Sequence, residues 1–175
     1  MIGIFTKSLA KGKLTRQIEC KRAAAENKEY ETAGAELKNL IAKKFGRSFH
    51  IREVDTGSYG ACESEIITAT NPIYDIQRFG IDFVASPRHA DALLVTGPVS
   101  KNMEIALKKT FEAMPAPKFI ISLGDCAFDG GNFKESYYTL GGVKNVLPVT
   151  VHVPGCPPNP AQIICAILSL LSSIS

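Results

Sequence analysis

No apolar run in this chain is long enough to cross a bilayer. The longest, Ile163 to Leu171, falls well short of the roughly 20 residues a spanning helix needs. Five cysteines are present, yet no C-x-x-C pair occurs, which excludes the paired knuckles of structural zinc sites. The odd cysteine count, the wide separations and the lack of a signal-peptide pattern speak against a secreted disulfide scaffold. They fit a reducing cytoplasm, where free thiolates are available. Internal repeats and low-complexity tracts are absent too. The net charge of +3 is modest, and although Lys7, Lys11, Lys13, Arg16, Lys21 and Arg22 cluster near the start, no nucleic-acid signature accompanies them. Nucleic acid is therefore not an expected partner.

What is present is an ordinary globular composition, 45% apolar and 21% charged over 175 residues, enough for one full core. Within it three cysteines sit in tight turns after apolar strand-like runs: Tyr59-Gly60-Ala61-Cys62-Glu63, Gly124-Asp125-Cys126-Ala127 and Pro154-Gly155-Cys156-Pro157-Pro158. A turn at a strand end holds a side chain rigidly and brings backbone N–H groups close to whatever the thiolate binds. A merely buried cysteine needs neither. Ligands this far apart converge only on folding, which is how iron–sulfur clusters are often held at a sheet edge. The other two cysteines lack the pattern. Cys20 lies in a helical stretch with no turn beside it and reads as a surface or packed thiol. Cys165, inside Ile163-Ile164-Cys165-Ala166-Ile167, reads as core packing.

Residues 1–47, rich in Lys, Ala and Glu, are expected to form a basic helical N-terminal arm. Ile2, Phe5 and Leu9 share one helical face, suited to a membrane surface, a partner or the body of the protein. Tyr30, Ala33, Leu37, Leu40 and Ile41 mark a second helix that breaks at Gly46. Residues 48–175 change period. Strands are expected at Ser48–Val54, Phe83–Ala85, Ala92–Thr96, Phe119–Leu123 and Val149–Val153, and helices at Glu63–Ala69, Met103–Ala113 and Ala161–Leu171. This alternation predicts an α/β fold, a flavodoxin-like parallel sheet with flanking helices. In such sheets the functional crevice lies beyond the carboxyl ends of the strands, where all three turn cysteines fall. The glycine-rich stretch Asp129–Asn145 reads as a contact loop, and the last helix, apolar on nearly every side, suggests burial by a partner as well as by the sheet.

Several motifs together carry a family resemblance. Asp55-Thr56-Gly57-Ser58-Tyr59-Gly60-Ala61-Cys62-Glu63-Ser64-Glu65 resembles the D-x-G-S-C-N-G-C-E-x-E turn in small subunits of membrane-bound [NiFe] hydrogenases. Asn71-Pro72-x-Tyr74-Asp75-x-x-Arg78-Phe79-Gly80-Ile81, Ser86-Pro87-Arg88-His89-Ala90-Asp91, Thr96-Gly97-Pro98-Val99, Gly124-Asp125-Cys126-Ala127 and Val153-Pro154-Gly155-Cys156-Pro157-Pro158 are similar to the energy-converting, formate-hydrogenlyase type (group 4). That type is homologous to the 20 kDa B-type subunit of complex I, NADH-quinone oxidoreductase. The likeness implies a non-catalytic electron-transfer subunit carrying one [4Fe–4S] cluster. Its implied partners are a hydrogenase-like large subunit, a ferredoxin-like iron–sulfur subunit and integral membrane subunits. Peripheral attachment on the cytoplasmic side of the membrane follows.

The chain departs from that pattern at a ligand. Tyr59 stands where the family's first cysteine stands. Phenolate is a harder ligand than thiolate, and the longer side chain would push a cluster outward. Four outcomes follow for the site: a [3Fe–4S] cluster on Cys62, Cys126 and Cys156; a [4Fe–4S] cluster with Tyr59, water or a partner residue on the odd iron; recruitment of Cys20; or no cluster, leaving a structural adaptor. Zinc on the three cysteines, with or without His152, is a further reading. Glu63 and Glu65 open a helix, where the dipole favours carboxylates, and the resemblance implies a proton-path role for Glu63. Arg88 and His89, in the loop after the second strand, are expected near the cluster by the same resemblance, or as a salt bridge or subunit contact. His50 and His152 read as structural.

Overall fold

The computed structural model describes residues 20–174, with side-chain surroundings from residue 28 onward. Ile2, Phe5 and Leu9 lie outside the described residues, as does the side chain of Cys20.

Five short strands form one sheet in the order β2-β1-β3-β4-β5, every neighbouring pair parallel. They are β1 (Phe49–Asp55), β2 (Ile81–Phe83), β3 (Ala92–Thr96), β4 (Phe119–Leu123) and β5 (Val151–Val153). The sequence of β3, Ala-Leu-Leu-Val-Thr, is buried at every position, as a central strand covered on both faces must be. This is the flavodoxin-like order expected from the alternation of elements.

The helices are α1 (Cys20–Phe45), α2 (Ala61–Ala69), α3 (Glu104–Ala113), α4 (Asp125–Asp129) and α5 (Pro160–Ser173). On one face of the sheet α1, α2 and α5 bury Leu37, Ile41, Ile66, Ile163, Ile167 and Leu171 against Phe49, Ile51, Leu94 and Ile121. On the other, α3 and the stretch around Val143 cover Val54, Leu93, Val95 and Ile120. Each fully buried side chain of this size contributes about 1.5–3 kcal/mol relative to an exposed one.

The end of α1 is set by Gly46, whose N–H bonds to the Ala42 carbonyl at φ +64°. Leu37, at 0% exposure, joins the same core as the strands, so this helix is packed on the body of the protein. It also covers α5. The apolar surface of α5 is buried within the chain, between the sheet and α1, and its outer face carries Gln162, Cys165, Ser169 and Ser172. The expected burial of α5 by a partner is thus corrected, and so is the reading of Cys165, which is exposed.

Element edges differ by a few residues for identifiable reasons. Strand β2 comes earlier than expected because Gly80, at φ +88°, ends a 3₁₀ turn and its carbonyl accepts the Phe49 N–H, starting the pairing of Phe49 with Ile81. Helix α5 begins at Pro160 under a reciprocal cap: Asn159 accepts from the Gln162 N–H and the Gln162 side chain accepts from the Asn159 N–H. The stretch after Asp129 contains two 3₁₀ turns and a bridge between Ser100 and Thr139, and it packs Val143 into the second core.

Candidate metal centre

Strand register brings the three cysteine turns to one edge. Asp55 pairs with Thr96, Thr96 with Leu123 and Leu123 with Val153, so four strands finish level. The chain then runs at once into the turns that carry Cys62, Cys126 and Cys156.

The first turn is built by Asp55, whose carboxylate accepts from the backbone N–H groups of Gly57 (2.8 Å) and Ser58 (2.7 Å). Thr56, fully buried, donates to the Thr96 carbonyl at 2.8 Å. The turn lies across the end of β3, where Gly97 sits at φ +69°. A Cβ there would stand 2.2 Å from the Ser58 nitrogen, so only glycine admits this crossing. Gly60 then caps α2 in the left-handed region, and Cys62 is the second residue of that helix. Cys126 is likewise the second residue of α4. The second and third turns are tied together, with Asp125 N–H donating to the Gly155 carbonyl (3.0 Å) and Gly155 N–H to the Asp125 carboxylate (3.2 Å).

Cys62, Cys126 and Cys156 line one concavity with Ser58, Tyr59 and Asp125, about 260 Å³ counting its open mouth. Cys62 forms the floor, 7% exposed, and its thiol donates to the Leu123 carbonyl at 3.6 Å. Cys126 is half-buried and Cys156 exposed. The Tyr59 hydroxyl lies 3.2 Å from the Cys156 sulfur. With these side chains closed, the space at the centre is about 10 Å³, room for one water.

Burial, reinforced by the Glu63 carboxylate, pushes the Cys62 thiol up to about 12. Burial also raises Cys126, with Cys156 adding to it, while the Asn132 backbone N–H lowers it. The hydrogen bond to Cys156 pushes the Tyr59 phenol up to about 12. At neutral pH Cys62 is a thiol, so a metal binding it would displace a proton.

Among the described residues no three His, Cys, Asp or Glu side chains close on a point that would hold a single metal ion. His152 does not line the concavity. It bonds to the Ser122 hydroxyl at 3.0 Å and stacks on Phe128, with ring centroids 4.3 Å apart. A mononuclear zinc site on the three cysteines and His152 is therefore not formed. An iron–sulfur cluster takes one thiolate per iron and so needs sulfurs spread around a wider body. The donor set fits that group. Backbone passes close to two of the sulfurs, since a Cβ at Gly124 would stand 3.0 Å from the Cys62 sulfur and one at Gly131 2.9 Å from the Cys126 sulfur. The positive end of α2 also faces the concavity. Tyr59 and Cys156 are both exposed at the mouth of the concavity.

A family model described as NADH ubiquinone oxidoreductase, 20 kDa subunit, matches residues 60–170. The chain belongs to that family. The match takes in all three turn cysteines and begins one residue after Tyr59. Among relatives of this 20 kDa-subunit homologue, a probable membrane-bound hydrogenase subunit of Pyrococcus furiosus is 42% identical over 77% of this chain and 81% of its own length. Formate hydrogenlyase subunit 7 of Escherichia coli is 43% identical over 73% of this chain, which spans only half of that protein. A solved archaeal respiratory complex, the membrane-bound sulfane sulfur reductase, contains a chain 30% identical with a TM-score of 0.64, over 78% of this chain and 74% of that one. Among the described residues no helix is long and apolar enough to cross a membrane.

The remaining residues singled out in the sequence divide. Glu63 lies beside the site: Ser58 donates to one carboxylate oxygen at 2.6 Å, and the other oxygen is buried without a partner. Burial, with Glu63 and Asp55 adding repulsion, holds Glu53 above the usual carboxylate range. The structure does not bring Arg88 and His89 to the concavity. The His89 carbonyl lies 3.1 Å from His50 Nδ1, and the His50 N–H donates to Asp91, which pairs with Arg47 at 2.7 Å. That contact sits at the amino end of β1, the end of the sheet away from the cysteines. Ser58 and Asp125 are the site residues sequence reasoning passed over. Their signal was adjacency to Tyr59 and Cys126 in polar, glycine-flanked turns.

Proposed function

We propose that this chain is an iron–sulfur electron-transfer subunit of a membrane-associated oxidoreductase of the hydrogenase and complex I kind. It is not itself catalytic. Residues 48–175 form the cluster-binding domain, onto which α1, the described part of the 1–47 arm, packs. The partners are a hydrogenase-like large subunit, a ferredoxin-like iron–sulfur subunit and integral membrane subunits, with the chain bound peripherally on the cytoplasmic side. The names of the relatives, a formate hydrogenlyase subunit, a membrane-bound hydrogenase subunit and a membrane-bound respiratory complex, support a place in a membrane-bound assembly.

One observation carries the reading: three thiols far apart in the chain line a single concavity at the carboxyl edge of the sheet. A cluster bound there supplies a one-electron couple. Cys62 anchors it from the floor, Cys126 and Cys156 from the sides, and Gly124 and Gly131 let backbone approach the sulfurs. With three thiolates, the fitting species are a [3Fe–4S] cluster or a [4Fe–4S] cluster whose odd iron takes a ligand other than cysteine.

Iron, acid-labile sulfide and low-temperature EPR on the anaerobically prepared complex test this. Cys126→Ser is expected to abolish the signal of this subunit and Cys165→Ser to leave it intact. The reverse pattern contradicts the ligand assignment. A second reading, a structural adaptor without a cluster, is favoured by Tyr59 in a ligand position and by the narrow space left at the centre. An adaptor contains neither iron nor sulfide.

A further inference from the structure

We propose that Tyr59 is a hydrogen-bonding cover for Cys156 rather than an iron ligand, its phenol O–H donating to the Cys156 sulfur and so raising the reduction potential of a cluster held by the three cysteines. The inference rests on the iron–sulfur reading above and deepens it.

The turn beneath Tyr59 is anchored on both sides. Gly60 N–H donates to the Ser58 hydroxyl at 2.9 Å, and that hydroxyl donates to Glu63 at 2.6 Å. With its backbone held there, a thiol at position 59 would end near the first carbons of the side chain, whereas the phenol oxygen lies a full ring further out. It arrives 3.2 Å from the sulfur of Cys156, the outermost of the three thiols. The ring itself is 62% exposed and forms a wall shared by the concavity and the neighbouring groove lined by Phe133 and Tyr138. Tyr59 therefore lies across the mouth and not at the centre.

Once Cys156 serves as a thiolate its sulfur can only accept, so the tyrosine must be the donor. A hydrogen bond to a ligand sulfur stabilises the more electron-rich reduced state, which raises the potential. A protonated phenol is also a poor partner for iron already held by soft thiolates. On reduction one electron enters from an external reductant, dithionite in the experiment below. No covalent bond forms or breaks, and Tyr59 keeps its proton in both states.

The test compares the anaerobically isolated complex carrying wild-type chain, Tyr59→Phe or Tyr59→Leu. Iron and sulfide per chain are measured, together with the EPR-monitored midpoint in a dithionite titration and exchangeable-proton couplings by ENDOR after transfer to D₂O. Tyr59→Phe is expected to keep the metal content, shift the midpoint to more negative potential and lose one exchangeable-proton coupling. Tyr59→Leu, which also removes the ring, should show the same loss and the same direction of shift. Loss of iron in Tyr59→Phe would make the residue a ligand and overturn the proposal, as would an unchanged midpoint and unchanged couplings. A wild-type complex with no iron or sulfide in this subunit overturns the parent reading as well, so the two failures are distinct.

Discussion

Gly124 holds its backbone against Cys62: at φ +86°, a Cβ on Gly124 would stand 3.0 Å from the Cys62 sulfur and 3.1 Å from the Gly155 carbonyl oxygen. Gly124→Ala therefore combines backbone strain with a collision at the floor of the site. It should lower stability by about 1–3 kcal/mol and reduce iron per chain. Gly46→Ala is the control. Its φ is +64° with nothing within 4 Å, so it should cost about 1–2 kcal/mol and leave iron content unchanged. Denaturant midpoints and iron analysis on both variants check this.

Tyr59→Cys places a fourth thiol on the turn between Ser58 and Gly60. If three cysteines hold the cluster in the native chain, this variant should raise iron per chain toward four. Any three-iron EPR signature should give way to that of a reduced four-iron cluster. Unchanged iron and spectra would mean that position 59 does not face the metal.

Tyr30 fastens α1 to the 3₁₀ region. Its hydroxyl donates to the Tyr74 carbonyl at 2.9 Å, and its ring packs edge-on to Tyr74 and Phe79. Burial pushes this phenol from 10.0 up to about 12. The unfolded chain then loses its proton first as pH rises. Fewer protons bound in the unfolded state means stability falls with pH, here between the unfolded and folded values. Tyr30→Phe should cost about 1 kcal/mol at neutral pH and show a smaller further loss between about pH 10 and 12. Chemical denaturation of both proteins across that range measures the difference.

Cys165 is exposed and Cys62 is buried. In the metal-free chain, brief alkylation followed by mass spectrometry should label Cys165 well before Cys62. Cys165→Ser should change stability by less than about 0.5 kcal/mol. Equal labelling would contradict the burial of the floor thiol.

The strand skeleton could be read from the sequence because β3 and β4 are short apolar runs bounded by turn residues, β1 alternates Phe49 and Ile51 with polar residues, and the order of the strands follows from the helices between them. The cysteine edge followed from the same pattern, since residues after parallel strands share one side. Shorter or phase-dependent features were less visible. Asp125-Cys126-Ala127-Phe128-Asp129 is too brief to show a helical period, so α4 reads as part of a turn. The all-apolar look of α5 hid its outward stripe, although Gln162, Cys165, Ser169 and Ser172 fall at helical spacing and carried the signal. Arg88 and His89 follow β2 but precede β3 by only a few residues, so the chain has already returned toward the amino end of the sheet. The Tyr59–Cys156 contact spans two turns far apart in the chain, and only folding shows that a phenol reaches so far.

The most direct test of the central claim is the iron and acid-labile sulfide content, with Mössbauer spectra, of this subunit in the anaerobically isolated complex, compared with the same complex carrying Cys62→Ser, Cys126→Ser and Cys156→Ser together. The expected result is three or four irons with matching sulfide in the native subunit, all lost in the triple variant. Native subunit free of both, or a triple variant that keeps them, would contradict the assignment of a cluster to these three thiols.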